Sequence, residues 1–89
     1  MHVRIAYDRL LKIMKIRYTR HAKNRMRFHK ITEFEVETAI NEPDFIEPFI
    51  ENRSNVWIKV SEKFIRVTFK RESDEVLIIT AVKKKKGWR

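Results

Sequence analysis

At Pro43 the spacing of apolar residues along this chain changes from helical to twofold, and that change limits the folds open to it. Before it stands ITEFEVETAINEP, residues 31–43, in which Val36, Ala39 and Ile40 recur at helical spacing. Thr32 and Glu35 have the spacing of a capping box, and Ile31 is placed to staple against Val36. Acids at 33, 35 and 37 suit the positive end of a helix, while Asn41 and Pro43 stop it. After Pro43, residues 45–50 predict a strand that Pro48 confines to an edge or bends. Residues 51–55, ENRSN, predict a turn. Val56, Ile58 and Val60 then alternate with Trp57, Lys59 and Ser61. Beyond a turn at residues 62–63, Ile65, Val67 and Phe69 alternate with Phe64, Arg66, Thr68 and Lys70. A turn at residues 71–74 leads to VLIITAV, residues 76–82, apolar on both faces and therefore expected inside the sheet.

Upstream, KIRY alternates and predicts a short strand. Thr19 offers an N-cap hydroxyl to a helix carrying TRHAKNRMRFHK, which ends near His29 and Lys30. Ala6, Leu10 and Ile13 have helical spacing, although Met14 is equally a natural start, which would make the preceding residues an upstream extension. The expected organisation is an N-terminal extension over 1–14 and a single domain over 15–89 ending in a basic tail. Eighty-nine residues suffice for one core and not for two. The expected class is α+β: two N-terminal helices packed on one face of a four- to five-stranded, mainly antiparallel sheet.

Lys and Arg number 21 against 12 acids, for a net charge of +9. Such a surplus concentrates polyanions near the surface, and nucleic acid is the commonest of them for a small basic protein. The competing reading is heat adaptation, which a single Gly, heavy Lys, Glu and Ile usage and the absence of Cys also suit. Without Cys there is no disulfide framework and no thiolate metal site. The three histidines lack HExxH-type spacing, so neither a metal nor another cofactor is expected. No apolar run approaches the roughly 20 residues that span a bilayer. Arg4, Asp8, Arg9 and Lys12 interrupt what would be the apolar core of a signal peptide. A cytoplasmic protein without membrane contact is expected.

Residues 19–30 carry five Lys or Arg, two histidines and no acid. His21, Arg25 and His29 are spaced four apart and form one stripe, beside an inward stripe of Ala22 and Met26. Imidazole moves protons near neutrality, and guanidinium forks onto phosphate. The same residues also suit an ordinary solvated face, with His21 as a packing residue. Arg66 interrupts an apolar strand and must point away from the core, toward an open sheet face or toward Glu47 or Glu51. Lys59 has the same two readings. The Thr80 hydroxyl either bonds locally or faces a site. Lys83, Lys84, Lys85 and Lys86 form a solvated or phosphate-contacting tail, and Arg20 extends the basic surface. Trp88 either stacks on a base or packs on the domain's edge, and Trp57 has both readings too.

Taken in order, TRHAKNRM, ITEFEVETAINEPDFIE and KFIRVTFKRESDEVLIITAV resemble the prokaryotic family called domain of unknown function 4258, over about residues 15–82. That family looks related to the RelE/ParE-like toxins of toxin–antitoxin pairs, which share a small helix-then-antiparallel-sheet fold. The resemblance implies an RNA- or ribosome-directed, metal-independent endoribonuclease, or a descendant that merely binds, with an acidic antitoxin protein as partner. In the wider nuclease group a first-helix histidine, a strand arginine and a last-strand threonine line the open sheet. By position these fall on His21, Arg66 and Thr80. This chain departs from the pattern where a tyrosine would follow on the last strand, since Ala81 and Val82 stand there.

The chemistry so implied is attack of an RNA 2′-hydroxyl on its own phosphate. His21 would handle the proton, Arg66 and Arg25 would hold the phosphate, and Thr80 would orient an oxygen. Lys59 and the tail lysines would draw in the strand. The alternatives are a non-catalytic basic docking module for nucleic acid or an acidic partner protein, and a sheet edge that pairs with a partner strand.

Overall fold

The computed structural model describes residues 15–88, so the helix expected within residues 1–14 lies outside the described part. In chain order the elements are β1 (Lys15–Tyr18), α1 (Arg20–His29), α2 (Glu33–Asn41), β2 (Phe45–Pro48), β3 (Arg53–Val60), β4 (Lys63–Glu72) and β5 (Glu75–Lys84). The class is α+β, with two helices and a five-stranded mixed sheet in the order β1-β5-β4-β3-β2. Three neighbouring pairs are antiparallel, and β1 runs parallel to β5.

Both helix starts follow their local chemistry. The Thr19 hydroxyl accepts from Ala22 N–H at 2.9 Å. At α2, Glu35 N–H donates to the Thr32 hydroxyl at 3.0 Å, while Thr32 N–H donates to the Glu35 carboxylate at 2.9 Å. Ile31 and Val36 flank that capping box and are both buried in the core, as a hydrophobic staple requires. α1 ends at Lys30, which takes a left-handed conformation with φ 59°. Ile31 N–H reaches the Met26 carbonyl at 2.8 Å and Lys30 N–H reaches that of Arg27 at 3.3 Å, closing the last turn as a Schellman motif.

One cluster forms the core. Ala22 and Met26 of α1 and Val36, Ala39 and Ile40 of α2 pack with Val56 and Ile58 of β3, Ile65, Val67 and Phe69 of β4, and Val76, Ile78 and Ala81 of β5. Val56, Val67 and Ala81 are successive cross-strand partners, as are Trp57, Arg66 and Val82. The pleat therefore puts the second row on the face away from that cluster.

Several boundaries differ from expectation. The turns expected at 62–63 and 71–74 give up Lys63, Arg71 and Glu72 to β4, and three further differences are larger. Residues 53–55 belong to β3, and the turn lies at Glu51 and Asn52, with φ 49° and 62°. The polar side chains of Ser54 and Asn55 disguise strand residues, whose partners are Phe69 and Thr68 on β4. Phe49 and Ile50, expected in a strand, instead lead into that turn, and Phe49 N–H bonds to the Arg53 carbonyl at 3.0 Å. Lys83 and Lys84, expected in the tail, are the last residues of β5 and pair with Ile65 and Phe64.

The capping box is an isolated, exposed device, so it can be tested alone. Thr32→Ala is expected to lower unfolding free energy by about 1 kcal/mol, read as a shifted midpoint with unchanged slope in urea denaturation.

Candidate nucleic-acid interface

The basic surface is positioned by one junction between helix and sheet. Between β4 and β5 the register slips, with Thr68 opposite Thr80 and Phe69 opposite Ile78, which leaves Ile79 as an extra residue. The Thr19 hydroxyl donates to the freed Ile79 carbonyl at 3.1 Å, and Thr19 N–H donates to the Ile78 carbonyl at 3.1 Å. At its other end α1 meets the end of β5, where Lys83 Nζ lies 3.4 Å from the Lys30 carbonyl. The helix therefore runs beside the second half of β5.

That course brings Arg25 and His29 to Lys83 and Lys84. Arg25 Nη2 stands 2.9 Å from His29 Nε2. A guanidinium can only donate, so Nε2 is the acceptor and the ring is the neutral tautomer with its proton on Nδ1. Loss of hydration lowers the His29 pKa below its ordinary value, and the charges of Arg25, Lys83 and Lys84 lower it further. Phe28 is 73% exposed beside this ridge, with its ring edge-on to His29 and 5.3 Å from the Arg25 guanidinium carbon. The ion pairs among the described residues lie elsewhere: Arg17–Glu75, Lys23–Glu33 and Lys70–Glu72. Among the described residues Arg25, Lys83 and Lys84 therefore form no ion pair with a carboxylate. Lys83 is at the helix side of β5 and Lys84 in the far-face row of Phe64 and Lys59, and together with Arg25 and His29 they make a basic ridge around the end of the strand.

The other sheet face is only partly open. Glu47 Oε1 accepts from Trp57 Nε1 at 2.9 Å and from Asn55 Nδ2 at 3.2 Å. Asn55 Oδ1 in turn accepts from the Thr68 hydroxyl at 2.6 Å. Beyond β5 the chain turns back, and Trp88 stacks on Phe45 with centroids 5.6 Å apart and meets Trp57 and Phe64 edge-on. Trp57 is consequently only 6% exposed.

Residues 18–83 match the model of the family described as Domain of unknown function (DUF4258). The chain belongs to that family. No curated protein and no solved structure matches it.

In this DUF4258 chain the residues singled out from the sequence fall into separate places. Arg66 and Thr80 share the far sheet face, since Arg66 pairs with Val82 and Thr80 lies two residues before it. Arg66 forms no ion pair with Glu47 or Glu51; its guanidinium carbon lies 5.8 Å from the Trp57 ring, and its Nε is buried without an acceptor. His21 is exposed in the first turn of α1, and among the described residues no hydrogen bond joins it to Arg66 or Thr80. Arg20 is exposed beside it. Lys59 stands over the Phe64 ring at 5.8 Å, and its backbone N–H donates to Asp44. Lys85 and Lys86 are exposed beyond β5. Trp88 packs against the sheet face through its ring contacts with Phe45, Trp57 and Phe64.

His29 is the histidine that sequence reasoning left in second place. Its four-residue spacing from Arg25 was the available signal, but its meeting with Lys83 and Lys84 depends on β5 extending further than its apolar run. Among the described residues, no three metal-binding side chains of His, Asp or Glu stand together, and no helix is long and apolar enough to cross a membrane.

The lowered pKa of His29 has a defined sign. The unfolded chain takes up this proton at higher pH than the folded one, so stability rises with pH between the two values. The cost of charging His29 is full below the folded value and absent above the unfolded value near 6.5. An NMR titration is expected to place the His29 midpoint below 6.5, with Arg25→Met moving it upward.

Proposed function

We propose that this chain is a toxin-like RNA-binding protein that grips the sugar–phosphate backbone along the ridge of Arg25, His29, Lys83 and Lys84. The observation that carries this reading is that among the described residues no carboxylate pairs with Arg25, Lys83 or Lys84, while the three ion pairs lie elsewhere. Cations left without partners gain most from phosphate, whose binding releases counterions. Arg20, Lys85 and Lys86 extend the attraction by charge alone. Both helices on one side of the sheet would leave the other side for bases.

The catalytic form of this reading is metal-independent RNA cleavage, and its support is the Arg25–His29 pair. Arg25 holds the only lone pair with which His29 can accept a proton. When Arg25 turns to a phosphate oxygen, Nε2 is released beside that phosphate, where a 2′-hydroxyl must lose its proton. His29 then takes the role first expected of His21. Arg66 and Thr80 lie on the far sheet face, where they suit contact with a passing strand better than this proton transfer.

One observation favours a purely binding module, for RNA or for an acidic antitoxin protein. Among the described residues, the expected imidazole–guanidinium–hydroxyl set of His21, Arg66 and Thr80 has no internal hydrogen bond, and Arg66 lies over Trp57.

Affinity for single-stranded RNA measured against salt distinguishes these forms. Replacing Lys83 and Lys84 together by Gln is expected to weaken binding and reduce the slope of log K against log salt by about 1.4, from about 0.7 per phosphate contact on a single strand. An unchanged slope would move the interface elsewhere. In the same samples, with chelator present, labelled RNA reports cleavage: product lost in His29→Ala assigns the base, and no product from the wild type leaves binding alone.

A further inference from the structure

The far sheet face carries a groove of about 340 Å³ lined by Asp44, Lys59, Phe64 and Trp88. This volume lies at the lower end of the range of small-ligand sites, about 300–1,000 Å³. Lys59, Phe64 and Lys84 are successive cross-strand partners, so the groove adjoins the end of the basic ridge, where Lys84 acts on His29.

Its walls are unusual for a packing defect. Phe64 and Trp88 meet edge-on at 5.3 Å, which makes an aromatic corner, and both are partly exposed. Gly87, the chain's single glycine, lies against Phe64: a Cβ added there would stand 2.6 Å from Cγ, so no other residue fits without moving the ring. Trp88 is held from behind by its flat contact with Phe45. At the floor, Asp44 Oδ2 accepts the Lys59 backbone N–H at 2.9 Å, which fixes the carboxylate, while Oδ1 accepts no hydrogen bond from the described residues. A carboxylate would repel a phosphate, but it complements the donor groups on a base edge.

We propose that this groove is a subsite for one unpaired nucleobase of the bound RNA, stacked on the Phe64–Trp88 corner with its N–H donors on the Asp44 carboxylate and its phosphate near Lys59. Guanine suits it best, because its N1–H and 2-amino group are adjacent donors; uracil offers one ring N–H and no amino group. The proposal rests on the RNA-binding reading above and adds to it where a base goes and which base is preferred.

The experiment compares three ligands of equal length and charge: a uridine run, the same run with one guanosine, and the same run with one abasic residue in place of that guanosine. Fluorescence anisotropy at fixed salt gives each affinity. The wild type is expected to bind the guanosine RNA about tenfold more tightly than the abasic one, with the uridine run between them. Trp88→Ala is expected to equalise all three, and Asp44→Ala to remove the preference for guanosine over uridine while keeping that over the abasic site. Circular dichroism checks that each variant folds, and the abasic comparison on the wild type needs no variant. Equal binding of guanosine and abasic RNA by the wild type overturns the subsite and leaves the ridge intact. Failure of all three to bind overturns the RNA reading, and the subsite falls with it.

Discussion

The Thr19 hydroxyl performs two tasks on which the placement of the basic residues of α1 depends. It accepts the Ala22 N–H that starts α1, and it donates to the carbonyl of Ile79. The second bond is available because β5 is bulged at Ile79, where the ladder to β4 slips by one residue. A single side chain therefore satisfies an orphan donor of a helix and an acceptor displaced from a sheet. It also joins residues sixty apart in the chain. With its first turn pinned at the middle of β5, α1 has to run along the remaining half of that strand. Arg25 and His29 reach Lys83 and Lys84 as a consequence of that course.

The far sheet face shows how a small chain copes with having almost no glycine. Glu51, Asn52, Ser61 and Ser73 all adopt positive φ in the hairpin turns, and Lys30 does so at the end of α1. Each accepts a conformation that costs an L-residue roughly 1 kcal/mol and that glycine would adopt freely. The one glycine present is spent elsewhere, against Phe64, where the need is space and not backbone freedom. Closing the tail over the face buries Trp57 from the side opposite the core, so Asn55 and Trp57 are as enclosed as Val56 and Ile58. That enclosure requires the indole N–H and the Asn55 amide to find partners, and Glu47 supplies both.

Local chemistry explains what was legible beforehand. The capping box at Thr32 and Glu35, the N-cap at Thr19 and the alternation of Ile65, Val67 and Phe69 need only near neighbours in sequence, and all are present. What spacing could not convey is long-range. The parallel pairing of β1 with β5 joins residues sixty apart, and no local pattern of KIRY specifies its partner. Ser54 and Asn55 read as turn residues because strand propensity assumes a side chain facing either core or solvent, whereas Asn55 faces a buried polar network. Lys83 and Lys84 read as a tail because their strand contacts are made by backbone alone. The stripe of His21, Arg25 and His29 was visible; the choice between its two histidines was not, since it turns on how far β5 extends.

Two readings of the charge of +9 differ in the partners they expect for its cations. Charge that serves heat stability works through networks in which each cation neighbours several carboxylates. The ion pairs among the described residues are instead simple pairs between exposed or half-exposed groups, which contribute at most about 1 kcal/mol each. The cations of the ridge stand outside even these pairs. Loss of hydration first, and then the charges of Arg25, Lys83 and Lys84, lower the His29 pKa and so disfavour its protonated form in the folded chain. A phosphate bound there, as proposed above, would relieve that repulsion.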